Sequence, residues 1–168
     1  ISRLPVVVTF GAIKGGVRHN IIPDEVELIG TIRSFDEGMR AATFADLKNV
    51  AEHVAAAHGA SVITEIPDAL GNPVLSNNAD LVARLRPSLA RAAGADKVMD
   101  IPLTMGAEDF AYYAKEVPAM FFFVGATPAG QDPAKAPSNH SPKFFLDESA
   151  LKLGTRAMLQ VALDYLGD

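Results

Sequence analysis

Gly15–Arg40, GGVRHNIIPDEVELIGTIRSFDEGMR, changes its pattern twice within one stretch. It starts with turn signals: Gly15, Gly16, Asn20 and Pro23. From Val26 it alternates. Val26, Leu28, Gly30 and Ile32 fall on one face, and Glu27, Ile29, Thr31, Arg33 and Phe35 on the other. That period of two predicts a strand. Asp36 then stands as a helix N-cap before EGMRAATFADLKNVAEHVAAAHG, residues 37–59. Upstream, the short β-branched run LPVVVTFGAI, residues 4–13, predicts a first strand. Strand, loop and strand together predict an antiparallel pair.

Working outward, Leu47, Val50, Ala51, Val54 and His58 recur at helical spacing, which predicts one buried stripe. Gly59 is the expected stop. ASVITEI, residues 60–66, alternates again and predicts a third strand. The first part is therefore β-β-α-β over residues 1–67, a thin core for an independent domain. PDALGNPVLSNN, residues 67–78, is the expected boundary, with the second part over 68–168. A helix follows over 79–94, with a kink or break expected at Pro87. ADKVMDIPLTMG, residues 95–106, predicts a short strand and loop. AEDFAYYAKEV, residues 107–117, predicts a short helix with Glu108 and Asp109 in its first turn. AMFFFVGA, residues 119–126, predicts a strand buried on both faces. A long loop leads to a last helix capped by Asp147, with Leu151, Ala157, Met158, Val161, Ala162 and Tyr165 for its buried face. The fold class is a small α+β layer followed by part of an α/β domain.

The 168 residues, 49% hydrophobic and 21% charged, suit a folded chain. A net charge of −5 and the lack of a basic run argue against a nucleic-acid partner. No cysteine is present, so disulfides, a thiol nucleophile and thiolate metal sites are excluded, and a reducing compartment such as the cytoplasm fits. No apolar stretch reaches the ~18 residues of a membrane helix. The first residue is Ile1, and the chain is expected to be part of something longer or a processed product.

Few residues offer chemistry. His140 sits between Pro137 and Pro142, in the loop after the phenylalanine-rich run. Neutral imidazole is the commonest metal ligand and a usual general base, and open α/β sheets bind ligands in such loops. The alternative is a loop histidine that caps the next helix or bonds to backbone. Glu108 and Asp109 can orient a histidine or hold a loop, or can simply satisfy a helix dipole. Arg33 and Asn20 converge on one anion if their strands pair, the guanidinium supplying a planar fork for a carboxylate. The alternative for Arg33 is a surface ion pair with Glu27 or Asp36.

GGVRHNIIPDEVELIGTIRSFDEGMR resembles the dimerisation-domain segment of the aminoacylase/carboxypeptidase metallopeptidases. MGAEDFAYYAKEVPAMFFFVGA, residues 105–126, and NHSPKFFLDESAL, residues 139–151, resemble the C-terminal end of their catalytic domain. The branch is that of hippurate hydrolases, indole-3-acetyl-amino acid hydrolases and N-acyl-amino acid amidohydrolases. The resemblance implies a partial α+β dimerisation (lid) domain followed by the C-terminal part of an α/β two-metal hydrolase domain. It implies hydrolysis of the amide of N-acyl amino acids or small peptides, with two zinc, manganese or cobalt ions in the intact enzyme. It implies His140 as a metal ligand, Asn20, Arg33 and Gly125 in substrate binding, and Glu108 and Asp109 in a supporting role beside the site. It implies a small-molecule substrate with a free carboxylate and a homodimer formed through the small domain. The family's other metal ligands and its general-base glutamate have no counterpart in this sequence. No catalytic residue is therefore expected here, and the chain alone is expected to be inactive and to bind metal weakly, since a catalytic zinc needs about three protein ligands. A different class stays open: a non-catalytic dimerisation and ligand-binding module.

Overall fold

The computed structural model describes residues 5–66 and 71–167. Two strands, β1 (Val6–Gly15) and β2 (Val26–Ser34), precede helix α1 (Glu37–Ala57). Helices α2 (Ala79–Ala93), α3 (Phe110–Glu116) and α4 (Ser149–Gly167) follow, with short 3-10 turns at Ala95–Lys97 and Pro133–Lys135. The chain forms two compact units, Ile1–Leu75 with Leu103–Tyr112, and Ser76–Pro102 with Tyr113–Asp168. The boundary expected at 67/68 lies outside the described residues.

In the first unit β1 and β2 form an antiparallel hairpin, in register from Val6 opposite Ser34 to Gly15 opposite Val26. The expected alternation along β2 therefore holds as far as Ser34. A bulge between Phe10 and Ala12 takes up one extra residue at Gly11. Gly30 has a steric reason: a Cβ there would sit 2.5 Å from the Thr9 carbonyl oxygen. Asp36 caps α1 as expected, its Oδ1 accepting the Met39 N–H at 2.7 Å. At the other end Gly59 takes φ +69. The Ala60 N–H reaches the Ala55 carbonyl at 2.9 Å and the Gly59 N–H the Ala56 carbonyl at 3.1 Å, a Schellman stop.

The stripe expected on α1 splits. Arg40, Phe44, Leu47, Ala51 and Ala55 form the half-buried face. Val50 and Val54 stay 58% and 56% exposed, and His58 is exposed too. The third strand expected at 60–66 is not formed, nor is one in 95–106. A strand exists only through a neighbour's ladder, and none of the described residues supplies one for 60–66.

In the second unit α2 packs on α4. Leu85, Ser88 and Ala92 of α2 are buried, as are Ala150 and Ala157 of α4. Small residues let the two helices approach closely. Of the face expected for α4, Ala157 and Val161 turn inward, with Ala150, Leu153, Gly154, Gln160 and Asp164 beside them, while Leu151, Met158, Ala162 and Tyr165 are exposed. Arg91 pairs with Asp164, which also accepts from Gln160 Nε2 at 3.0 Å. Helix α2 runs without interruption through Pro87, where a kink or break was expected.

The run 119–126 makes no strand ladder either. Asn77 substitutes for a neighbouring strand: its side chain donates to the Phe121 carbonyl at 2.8 Å and accepts the Phe121 N–H at 2.7 Å. The Asn78 N–H adds a bond to the Ala119 carbonyl at 2.9 Å. Phe121, Phe122 and Val124 are half-buried, and Phe123 is 64% exposed, so the run is not covered on both faces.

Candidate functional site

The hairpin places Arg33 opposite Val7, near the end of the ladder that leads into α1. Its side chain is exposed, and Nη1 donates to the backbone carbonyl of Met105. The ion pairs considered as alternatives do not form. Glu27 is taken by Lys14 at 3.1 Å, and Asp36 is occupied as the helix cap. Among the described residues no carboxylate pairs with Arg33. A guanidinium carries five N–H donors, so most of this fork is open. On the same face Thr9, Gly11, Ala12, Ile29, Gly30 and Thr31 line a shallow apolar depression of about 220 Å³.

Asn20 lies in the loop between the strands, exposed and without a side-chain hydrogen bond among the described residues. The expected convergence with Arg33 fails within one chain. The loop leaves the ladder at Gly15 and Val26, and Arg33 is seven residues along from Val26. At the strand rise that is roughly 20 Å. An antiparallel hairpin puts the two residues at opposite ends however close they are in sequence.

Glu108 and Asp109 precede α3 rather than standing in its first turn. Glu108 is half-buried, and its Oε1 accepts the Phe110 N–H at 3.3 Å, so it serves the start of the helix. Asp109 is exposed, and its carbonyl accepts the Tyr112 N–H at 3.0 Å.

In the second unit, His140 sits in a run of tight turns. The Ser141 N–H bonds to the Ser138 carbonyl and the Phe144 N–H to the Ser141 carbonyl, both at 2.9 Å. The ring is exposed and makes no hydrogen bond among the described residues. It does not cap α4. That position belongs to Asp147, whose Oδ1 accepts the Ser149 N–H at 2.9 Å. The Ser149 hydroxyl, and then its backbone N–H, hold the Asp147 carboxyl below the ordinary carboxylate range. The Asp147 N–H in turn bonds to the Ala126 carbonyl at 2.8 Å, tying the start of α4 to the residue after Gly125. Gly125 is exposed, and a Cβ there would meet open space. Among the described residues no three His, Asp or Glu side chains gather as a metal site. His140 alone does not amount to a coordination set.

Two contributors escaped the reading of the residues. The Met105 carbonyl holds Arg33, and a backbone group leaves no mark in sequence. Asn77 clamps the phenylalanine-rich run, where only its place in a polar loop was visible.

The sequence pattern of "Peptidase family M20/M25/M40" matches residues 7–164. Thermostable carboxypeptidase 2 of Saccharolobus solfataricus is 30% identical over 161 residues, which cover 96% of this chain and 39% of that protein. N-acetyl-L-cysteine deacetylase of Bacillus subtilis is 34% identical over 145 residues, 86% of this chain and 32% of that one. Among solved structures, the Bacillus subtilis YXEP protein, described as a dinuclear metal binding peptidase from the M20 family, is similar with a TM-score of 0.74 and 28% identity. That match covers 96% of this chain and 42% of the other. The chain thus spans about two fifths of the length of the carboxypeptidase, and its mixed α/β fold is that of M20 peptidase structures. With the family pattern running through both units, the chain belongs to peptidase family M20/M25/M40.

Proposed function

We propose that this chain is the carboxylate-reading part of a metal-dependent hydrolase that cleaves the amide of N-acyl amino acids or small peptides. One observation carries the reading: an exposed arginine fork on a strand, with no carboxylate of its own among the described residues. A planar guanidinium takes a carboxylate in two parallel charge-assisted bonds. The relatives' names supply the substrate class. A carboxypeptidase and an N-acetyl-L-cysteine deacetylase both release an amino acid that bears a free carboxylate. The apolar depression beside Thr31 suits an apolar side chain of that amino acid.

The other residues take supporting roles. His140 is one ligand of one metal, zinc, manganese or cobalt, of a two-metal centre whose remaining ligands are not among the described residues. Gly125 leaves open room where the substrate passes. Glu108 and Asp109 fix the loop ahead of α3. Because Asn20 and Arg33 lie at opposite ends of the hairpin, they serve one substrate only when two copies associate, which favours a homodimer through this unit. The chain alone is inactive and holds no metal tightly.

Calorimetric titration tests this. N-acetyl-L-leucine should bind with weak affinity and Arg33→Ala should weaken that binding roughly 10–100-fold, while the uncharged methyl ester should not bind. The chain alone should not take up one equivalent of zinc tightly or release leucine from N-acetyl-L-leucine. Equal binding of acid and ester would overturn the substrate reading, and tight zinc uptake with turnover would overturn the assignment of the metal centre.

A further inference from the structure

We infer that Arg33 is also a positioning residue, coupling capture of a carboxylate to the ordering of the segment Leu103–Asp109. This rests on the carboxylate role proposed above for Arg33.

The segment forms neither helix nor strand. Among the described residues, Arg33 Nη1 to the Met105 carbonyl is the hydrogen bond that ties it to the hairpin, across 72 positions of sequence. The segment's other bonds are local, from Phe110 to Glu108 and from Ala111 and Tyr112 to the Glu108 and Asp109 carbonyls; the next long-range tie comes beyond it, from the Tyr112 hydroxyl to the Gly71 carbonyl at 3.0 Å. A Cβ at Gly106 would touch nothing within 4 Å, so packing around that residue is loose. One guanidinium arm therefore carries much of the order of this segment.

The same planar group presents its other donors outward. A free guanidinium on a long exposed stem samples many rotamers, and its bond to Met105 is made only in some of them. A carboxylate gripped on the open edge fixes the plane. Once fixed, the Nη1–H is held toward the Met105 carbonyl, and its ordering cost has already been met. Binding at one edge then strengthens the bond at the other, a cooperative effect carried by lost freedom rather than by a change of shape. The segment so ordered leads directly into Glu108 and Asp109. A ligand with a free carboxylate would order it; an ester or amide of the same size would not.

Backbone amide order parameters of the 168-residue chain provide the test. In Arg33→Gln, residues 104–108 should drop below about 0.6, the flexible range, while strands β1 and β2 stay near ~0.85. N-acetyl-L-leucine at saturation should raise the values for 104–108 in the unsubstituted chain and leave Arg33→Gln unchanged. Its methyl ester should change neither. Arg33→Lys keeps the charge but loses the fork, so it should keep part of the order at 104–108 and lose the response to ligand. If the strands keep their values and 104–108 does not loosen in Arg33→Gln, the positioning role is wrong, whatever happens to binding. If 104–108 loosens but N-acetyl-L-leucine no longer distinguishes itself from the ester in the unsubstituted chain, the carboxylate reading beneath it is wrong and the coupling falls with it.

Discussion

The two ends of the β1–β2 hairpin are built differently. At the α1 end, structure is tied down. Asp36 caps the helix, Glu37 pairs with Arg40 at 2.9 Å and takes the Val74 N–H at 2.7 Å, and Arg33 reaches Met105. At the loop end, Val17 and Ile22 are 90% and 92% exposed, and the turn bond within the loop, Ile21 N–H to the Arg18 carbonyl, is long at 3.4 Å. One end is held by side-chain hydrogen bonds. The other presents Asn20 and two exposed apolar side chains. The contrast separates Arg33 from Asn20: under the proposed function Arg33 acts within one chain, whereas Asn20 requires a second copy.

The largest expected effect comes from disrupting the ladder between the two ends. Gly30→Ala drives a Cβ against the Thr9 carbonyl and should cost about 2–3 kcal/mol in chemical denaturation, as overpacking does. Gly106→Ala meets open space and should be neutral. Next, Arg33→Ala should weaken N-acetyl-L-leucine binding by roughly 10–100-fold, the worth of hydrogen bonds to a charged group. Calorimetry would check it. Asp36→Ala should cost about 1 kcal/mol by thermal unfolding, the usual price of a lost cap. Smallest of all, Asn20→Ala should change stability by less than about 0.5 kcal/mol and leave single-chain ligand binding intact. Any loss of affinity should appear only at concentrations where the chain dimerises in sedimentation.

The second unit offers a comparison with pH. Asp164 is held below the ordinary carboxylate range by the Ser88 hydroxyl, then by Gln160, with Arg91 adding its charge. Its lowered folded-state pKa means that its stabilisation is fully present above the unfolded value and is lost as pH falls through the folded one. Thermal unfolding from pH 7 down to pH 2 should therefore show an acid loss that Asp164→Asn reduces.

Local signals were legible in the sequence. The alternation of β2, the Asp36 cap, the Gly59 stop and the Asp147 cap each depend on a few neighbouring residues, and each stands as expected. What depends on distant partners was not. Residues 60–66 and 119–126 have strand-like composition, but strand identity comes from a neighbouring ladder. On α4, Ala157 and Val161 turn inward as expected, but close approach to α2 brings in Ala150 and Gly154 and leaves the larger Leu151, Met158 and Tyr165 exposed. For the site, the residue type of Arg33 was legible and its partner was not. The thirteen-residue spacing from Asn20 suggested proximity, and only the register showed that the two are at opposite ends.

The most direct measurement of the central claim follows the Arg33 side-chain Nε–H resonance while the chain is titrated with N-acetyl-L-leucine or its methyl ester. A saturable shift with the acid, absent with the ester, is the predicted result. A resonance that ignores the acid, or answers both compounds alike, would contradict a carboxylate receptor at Arg33.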